Sequence, residues 1–253
     1  MRDRKTIEEQ TADLYADLFV RTSGDEFYKK AQNYIDRTGL EKDWFAGKTC
    51  LDAGCGSGVA SYSFSKIDKT KVIAFDIGYE CLKIARKNLE PLNNCALVQS
   101  SVERVPFKDG AFDFINCNGV LHHIPDINKA LSEFFRVLKP QGLLFIGVYG
   151  RGGLMNEHKI NFYRLFSRLV PYYLLRKLLF VRNKNEWLDN LCVPIRNAFS
   201  EQEIRRMLSR SGFSDITRIS RDFYRRPCGF LERLIIGRDG MYIHFLAKKG
   251  GRN

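Results

Sequence analysis

The chain has 253 residues and a formal net charge of +12, a length that fits one domain with a sizeable core. No apolar run approaches the roughly 20 residues needed to cross a bilayer, and charges at the N-terminus argue against a signal peptide. The seven cysteines form no C-x-x-C pair and are odd in number, which indicates reduced thiols in a cytoplasmic protein.

The first predicted unit is a helical leader at residues 1–44. Apolar residues recur at spacings of three and four over residues 6–37, and the pattern breaks at Ser23 and Gly24. This periodicity predicts two helices. Acidic residues alternate with the apolar ones, so each helix is expected to have one apolar face.

Residues 45–149 are predicted to form the core of an α/β fold. Alternating strands and helices give a parallel sheet with right-handed crossovers. We therefore expect a doubly wound, mostly parallel sheet. Its strands are predicted near 48–53, 71–76, 95–99, 111–117 and 142–149, and its helices near 57–66, 78–90 and 127–138.

Residues 150–198 are predicted to be a helical insertion after the fifth strand, because they are too many for a plain loop. Two of their segments, 158–170 and 172–181, combine apolar, aromatic and basic residues at near-helical spacing. A pair of basic amphipathic helices can lie on a membrane or cap an apolar pocket. The alternative is two ordinary helices that pack on the edge of the sheet.

Residues 199–253 are predicted to complete the sheet. Ser200 and Glu203 stand at the spacing of a capping box, which begins a helix. That helix is expected to end near Gly212. Two further strands, which bring the total to seven, are predicted near 214–221 and 241–248.

A glycine-rich loop is the most informative motif of the chain. Residues 50–58 read Cys-Leu-Asp-Ala-Gly-Cys-Gly-Ser-Gly and lie between a predicted strand and a predicted helix. Glycines at a spacing of two let the backbone turn tightly and approach a ligand closely. Asp76 ends the next predicted strand, 18 residues after Gly58. A carboxylate at that position is suited to a ribose diol.

The segment from Asp52 to Gly58 resembles the first motif of class I S-adenosylmethionine-dependent methyltransferases. The similarity covers about residues 45–149 and is closest to the group of quinone-biosynthesis and other small-molecule methyltransferases. It implies a Rossmann-like fold with an antiparallel last strand, and S-adenosylmethionine as cofactor. The later matching segments, in order, are Asp76, residues 101–107, residues 111–123 and residues 138–144.

The resemblance implies a cofactor site at the ends of the first four strands. Asp76 would take both ribose hydroxyls, since a carboxylate accepts twice. Ser101 stands where family members often have Asp, and would accept from the adenine amino group more weakly than a carboxylate. Asn116 is an alternative to Asn118 for contact with the methionine amino group. The implied cofactor residues are Asp52, Gly54, Gly56, Gly58, Asp76, Ser101, Val102 and Asn118.

Two adjacent histidines, His122 and His123, are the candidate catalytic residues. An imidazole can take a proton from a hydroxyl acceptor, but in the family this pair often orients the helix after the fourth strand. His158 is a weaker candidate, and His244 is expected to be structural. No metal site is predicted, because adjacent histidines point to different sides and no further ligand is placed.

The leader and the insertion are expected to face the acceptor. In enzymes of this type the leader often covers the cofactor, so Tyr15, Phe27 and Tyr28 are candidate lid residues or else core aromatics. The aromatic insertion favours a small, apolar or amphiphilic acceptor that is quinone-like, lipid-like or a secondary metabolite. Carbon, oxygen and nitrogen all remain open as the acceptor atom.

The distribution of charge leaves several partners open. Residues 1–150 contain 20 basic and 20 acidic side chains, whereas residues 151–253 contain 21 and 9. A basic half suggests an acidic acceptor, an acidic carrier protein or a peripheral contact with a membrane. The alternative function is methylation of tRNA or rRNA, with the basic half on the phosphates. A third hypothesis is a cofactor-binding protein without turnover.

Overall fold

The computed structural model describes residues 6–20, 24–151, 154–167, 169–181, 190–219 and 242–250. Within these ranges one sheet of seven strands has the order β3-β2-β1-β4-β5-β7-β6. The strands are β1 Thr49–Ala53, β2 Lys71–Asp76, β3 Cys95–Gln99, β4 Phe112–Asn118, β5 Leu138–Tyr149, β6 Phe213–Ile219 and β7 Tyr242–Lys249. The α-helices are α1 Ile7–Phe19, α2 Gly24–Gln32, α3 Val59–Ser65, α4 Tyr79–Leu89, α5 Ile127–Val137, α6 Leu154–Ser167, α7 Tyr172–Val181 and α8 Glu201–Arg210.

The sheet confirms the predicted Rossmann-like fold. Strands β1 to β5 run parallel, whereas β7 pairs antiparallel with both β5 and β6. The chain winds from β1 outwards to β3 and then returns to β4 on the other side of β1. This reversal of strand order brings the carboxyl ends of β1 and β4 together, where α/β sheets bind ligands.

Alternating residues of the strands build a core on each face of the sheet. Leu51 and Ile115 belong to the cluster that α5 and α8 cover, and their neighbours Cys50 and Phe114 belong to the opposite one. Successive side chains of a strand point to opposite faces, so both faces of the central strands are buried. In a parallel sheet the crossover helices pack on both faces, which is why the central strands have apolar side chains on both sides.

Three phenylalanines pack together between α3 and the sheet. The rings of Phe45, Phe64 and Phe114 are fully buried, with centroids 5.0 to 5.5 Å apart. Aromatic pairs of this kind contribute about 0.5–1.5 kcal/mol each beyond the burial of their area. The cluster therefore fixes the direction in which α3 leaves the glycine-rich loop.

Strand β5 begins earlier than the sequence predicted. It starts at Leu138, which pairs with Phe112, and the register shifts before Phe114 pairs with Leu143. Gln141, within the shift, has a φ of 66°. The Lys-Pro-Gln-Gly segment has the composition of a turn, which is why the prediction began the strand at 142. The structure contains it as an irregularity inside the strand.

Both ends of α8 confirm the predicted signals. The Ser200 hydroxyl accepts from the Glu203 amide, and the Glu203 carboxylate accepts from the Ser200 amide. Gly212 follows the helix with a φ of 93°. A Cβ there would lie 2.7 Å from the Phe135 ring. Glycine therefore lets β6 start close against α5.

The leader and the insertion are helical in the described residues. The leader forms α1 and α2, and the predicted insertion helices appear as α6 and α7. None of the described helices is long and apolar enough to cross a membrane. The ends of the last two predicted strands, at 220–221 and 241, and the predicted break at Ser23 lie outside the described residues.

Candidate active site

A cavity of about 520 Å³ opens at the carboxyl ends of the parallel strands. Its volume is in the range of small-molecule sites, and its place is the switch point of the sheet. One face of α1 closes it from above. Its lining includes Glu8, Tyr15, Phe19, Gly54, Gly56, Asp76, Ser101, Val102, Asn118, Val120, His122, His123, Tyr149, Asn190, Arg196 and Tyr242.

Two glycines of the loop after β1 form a cradle in the cavity wall. Gly54 has a φ of 72° and Gly56 a φ of 54°, a region that L side chains rarely adopt. A Cβ on Gly54 would lie 2.3 Å from Val120, and one on Gly56 would lie 2.6 Å from Phe19. Backbone conformation and space both require glycine at these two positions, because side chains of the protein already occupy the place that a Cβ would take.

Gly58 has a different role from the one expected. It caps the start of α3 with a φ of 86°. A Cβ there would lie 3.1 Å from Leu89 on α4, and Gly58 does not line the cavity. The third glycine therefore permits helix α3 to pack against α4 instead of making room for a ligand.

Asp76 closes the loop from the end of β2. Its two carboxylate oxygens accept from the amides of Gly56 and Gly78 at 2.9 and 2.8 Å. Burial raises the pKa of Asp76. Each carboxylate oxygen has two lone pairs, so both can accept again from a vicinal diol in the cavity.

Asp52 and Asn116 lie beneath the loop and not at its surface. The buried carboxylate of Asp52 accepts from Ser61 Oγ at 2.5 Å and from Asn116 Nδ2 at 2.7 Å. The Asn116 side-chain oxygen accepts in turn from Tyr34 at 3.0 Å. Neither residue lines the cavity. The structure thus places both outside the contacts expected from sequence, as supports of the strand ends.

The carboxylate of Glu8, which the sequence did not predict as a site residue, lies at the end of β3. Ser101 and Val102 line the cavity as expected. Ser101 Oγ donates to Glu8 Oε1 at 3.2 Å and accepts from the Glu103 amide at 3.2 Å. Glu8 lies 93 residues earlier in the chain and reaches this strand end because α1 lies across the cavity.

His123 is held as a neutral base. Its Nδ1 lies 2.8 Å from the carbonyl oxygen of Ile195, and its Nε2 lies 2.7 Å from the Tyr15 hydroxyl. A carbonyl can only accept, so Nδ1 carries the proton and Nε2 accepts from Tyr15. Burial lowers the pKa of His123 to about 4. The imidazole is therefore neutral at physiological pH.

His122 lies beside His123 in the cavity wall. Its ring centroid is 3.9 Å from that of Tyr149 and 4.0 Å from that of His123. Burial also holds its pKa well below the usual value. Its Nδ1 is buried and has no hydrogen-bond partner within the described part of the chain. A buried polar atom without a partner is costly to the folded state.

Tyrosines and an arginine complete this end of the cavity. Tyr149 and Tyr242 are paired across β5 and β7, with ring centroids 5.7 Å apart. The Arg196 guanidinium lies 5.1 Å from the centroid of Tyr149, and its Nε donates to Asn190. The predicted strands could have indicated both tyrosines. Tyr149 ends a parallel strand, and Tyr242 begins the antiparallel last strand, so both lie at the edge where the parallel strands end. No local signal marked Arg196.

Other candidates lie away from the cavity. Phe27 is buried and packs with Tyr28 against Tyr62 of α3, so Tyr15 is the one predicted lid aromatic among the cavity-lining residues. His158 is exposed on α6. His244 stacks on Phe145, with ring centroids 5.4 Å apart, in agreement with the structural role expected of it.

Comparison with known sequences relates this chain to known proteins. The family model described as a methyltransferase domain matches residues 51–146. The ubiquinone/menaquinone biosynthesis C-methyltransferase UbiE of Rickettsia felis is 30% identical over 175 residues, which is 66% of this chain and 68% of that protein. The demethylmenaquinone methyltransferase of Staphylococcus saprophyticus is 24% identical over 223 residues, covering 85% and 93%.

Solved structures share the fold. A putative methyltransferase in complex with the activator Trm112 from Haloferax volcanii superposes with a TM-score of 0.64 at 16% identity, covering 97% of this chain and 100% of that one. YcgJ from Bacillus subtilis has a TM-score of 0.58 at 19% identity, covering 86% and 100%. At such identities the likeness concerns the fold alone.

The burial of Asp52 predicts a specific pH dependence of stability. Burial raises its pKa from 3.8 to about 6. Its contribution to stability is therefore full below pH 3.8 and is lost as the pH rises through 6. Between pH 4 and pH 7 we expect the wild type to lose roughly 2–3 kcal/mol of unfolding free energy that the Asp52→Asn variant does not lose. Urea denaturation between pH 4 and pH 7 measures it, with the exposed Asp68→Asn as control. Equal pH slopes for wild type and Asp52→Asn would contradict the assignment.

Proposed function

The chain belongs to the class I S-adenosylmethionine-dependent methyltransferases, near the quinone-biosynthesis group, and we propose that its acceptor is an aromatic, apolar small molecule with a ring hydroxyl, of the hydroquinone class. The observation that carries this proposal is the end of the cavity formed by Tyr149, Tyr242 and the hydrogen-bonded pair Tyr15–His123. Planar rings surround that end, and a neutral base lies in its wall.

The other end of the cavity fits the cofactor. Gly54 and Gly56 line this end of the cavity with main chain, and the Asp76 carboxylate suits a ribose diol. Asn118, which accepts from Tyr242 at 3.2 Å, lies where the methionine end would meet the acceptor. When bound, the cofactor supplies a methyl group already activated on a sulfonium. The main task of the protein is therefore orientation, worth roughly 7–11 kcal/mol.

The aromatic end supports a planar acceptor. The rings of Tyr149, Tyr242 and His122 give it apolar faces. Arg196 lies at the same end. Its guanidinium favours a phenolate over a phenol, since an opposite charge nearby stabilises the ionised form. A phenolate raises the electron density on the neighbouring ring carbons.

A proton path leads away from the acceptor. Tyr15 donates its hydroxyl proton to His123 Nε2, which leaves its oxygen able to accept from an acceptor hydroxyl. As that proton reaches Tyr15, the Tyr15 proton passes to His123. The acceptor loses one proton for the methyl group that it gains. The imidazole of His123 becomes positively charged, and this charge would replace the one that the cofactor loses on transfer, so that the net charge of the cavity would stay constant.

The comparisons support carbon as the acceptor atom. The UbiE relative is a C-methyltransferase of ubiquinone and menaquinone biosynthesis, and the other relative is a demethylmenaquinone methyltransferase. With a phenolate held beside Arg196, a ring carbon next to it would attack the methyl group.

Transfer of a labelled methyl group tests the proposed acceptor class. The protein and methyl-labelled cofactor are incubated with an extract of the producing cells, and the label is counted in solvent-extractable and nuclease-sensitive fractions. We expect the label in the solvent phase, because the cavity end is aromatic and apolar. Label that disappears on nuclease treatment would instead establish RNA as the substrate and overturn the proposal.

The proton path predicts different effects on turnover and binding. Tyr15→Phe should lower kcat on a hydroquinone by roughly 10²-fold or more, the usual contribution of a positioned base, and leave cofactor affinity unchanged. Steady-state kinetics and calorimetry measure the two, with Tyr28→Phe on α2 as control. Since the pKa of His123 is about 4, the wild-type rate should not fall as the pH drops from 8 to 5.5. An unchanged kcat in Tyr15→Phe would contradict the path.

The exposed faces of α6 and α7 support a peripheral contact with an anionic membrane, where hydroquinones with apolar tails reside. Residues 158–185 contain seven Lys and Arg and no Asp or Glu. Lys and Arg near an anionic surface contribute about 1 kcal/mol each. The exposed apolar side chains of this surface are Phe162, Tyr163, Leu165, Phe166, Leu169, Val170, Tyr172, Tyr173 and Leu174.

Vesicle sedimentation tests this contact. Binding is expected to vesicles that contain phosphatidylglycerol and to be much weaker with phosphatidylcholine alone. Phe162→Ser with Phe166→Ser should reduce it, because both rings are at least half exposed and pack on each other at 4.7 Å. Tyr79→Ser, exposed on α4, is the matched control. Equal sedimentation of wild type and double variant would rule out this surface.

A further inference from the structure

We propose that Glu8, on the leader helix α1, accepts a hydrogen bond from the amino group of the cofactor's adenine. The inference rests on the proposed placement of the cofactor in the cavity. It assigns recognition of the base to a residue outside the glycine-rich core. Ser101, after β3, then holds this hydrogen-bond acceptor in place, and Glu8 of the leader provides the charged carboxylate.

The two ends of the cavity fix the direction of the cofactor. The transferable methyl group must face the acceptor end, where Tyr149, His123 and Tyr15 lie. Asp76, at the end of β2, is suited to the ribose diol. The adenine then extends further from the acceptor end, towards the edge strand β3. Glu8 contacts Ser101 at that strand end.

The chemistry of this end requires an acceptor. Among the described lining residues the carboxylates are those of Glu8 and Asp76, and Asp76 is committed to the loop and the diol. A carboxylate accepts only, whereas an aromatic amino group donates. Ser101 holds one oxygen of Glu8 in place, which leaves the second oxygen for the base. Hydrogen bonds to a charged acceptor are the stronger ones.

The position of Glu8 on α1 joins the two ends of the site. Glu8, Thr11, Ala12, Tyr15 and Phe19 all line the cavity, at the spacings of one helix face. Glu8 and Tyr15 are seven residues apart, about 10 Å along the helix axis. A base bound to Glu8 therefore helps to dock the helix that carries the Tyr15 hydroxyl. Recognition of adenine becomes coupled to the placement of the proton acceptor.

A pair of ligands that differ at one substituent tests the contact. S-adenosylhomocysteine carries the amino group, and S-inosylhomocysteine has an oxygen in its place that cannot donate. Calorimetry on the full chain should show that wild type prefers the adenosyl ligand roughly tenfold or more, since the other turns an acceptor oxygen towards the Glu8 carboxylate, which can only accept. Glu8→Gln should lose most of this preference. Asp13→Asn, an exposed acid on the same helix, should keep it.

Hydrogen exchange provides the second readout. The adenosyl ligand should protect the amides of α1 more than the inosyl ligand in wild type, and equally in Glu8→Gln. An unchanged preference in Glu8→Gln, or no preference in wild type, would overturn the proposal.

The outcomes separate this contact from the proposed function. Because neither readout uses an acceptor, a failure of the hydroquinone proposal leaves both results standing. Asp76→Ala serves as the reference for cofactor placement. If it binds the adenosyl ligand as tightly as wild type, the placement itself is wrong. If it binds weakly while Glu8→Gln keeps the preference, only the role of Glu8 is wrong.

Discussion

A buried carboxylate is the constraint on which the site depends. Asp52 joins β1 to α3 through Ser61 and to β4 through Asn116, and Asn116 extends the network to Tyr34. A charge at this depth is costly to hold, and its hydrogen bonds offset part of that cost. In return, the two central strand ends and the helix that starts between them are held in one arrangement. The glycine-rich loop follows Asp52 directly in the chain, so this network holds the start of the loop that lines the cavity.

The cavity above the network is divided by chemistry. Carboxylates lie at the β2 and β3 end, at Asp76 and Glu8, whereas tyrosines, neutral imidazoles and Arg196 lie at the β5 and β7 end. The division follows from the topology, because the order of the sheet sets β3 and β6 at opposite edges. One ligand that donates hydrogen bonds and another that carries a hydroxylated ring can therefore lie end to end across the switch point.

Local patterns predicted the framework of the fold, and contacts between distant segments decided the details of the site. The strands, the α8 capping box and the loop with Asp76 are encoded within a few neighbouring residues, so the sequence predicted them. The direction of a side chain is set by what packs beside it, which is why Gly58 faces α4 and Asp52 lies under the loop. Glu8 and Arg196 reach the cavity from segments far apart in the chain, and no local motif marks such residues.

The position of α1 has a consequence for the order of events in one catalytic cycle. The helix forms a wall of the cavity, yet within it only Leu14 and Ala16 are buried. An element with so little buried surface opens at a small fraction of the cost of global unfolding. With the cofactor placed on the glycine-rich loop as proposed, it would lie deeper than the acceptor, enter first and leave last in its spent form. Steady-state turnover would then follow an ordered sequence, with release of the demethylated donor, and not bond formation, as its slow step.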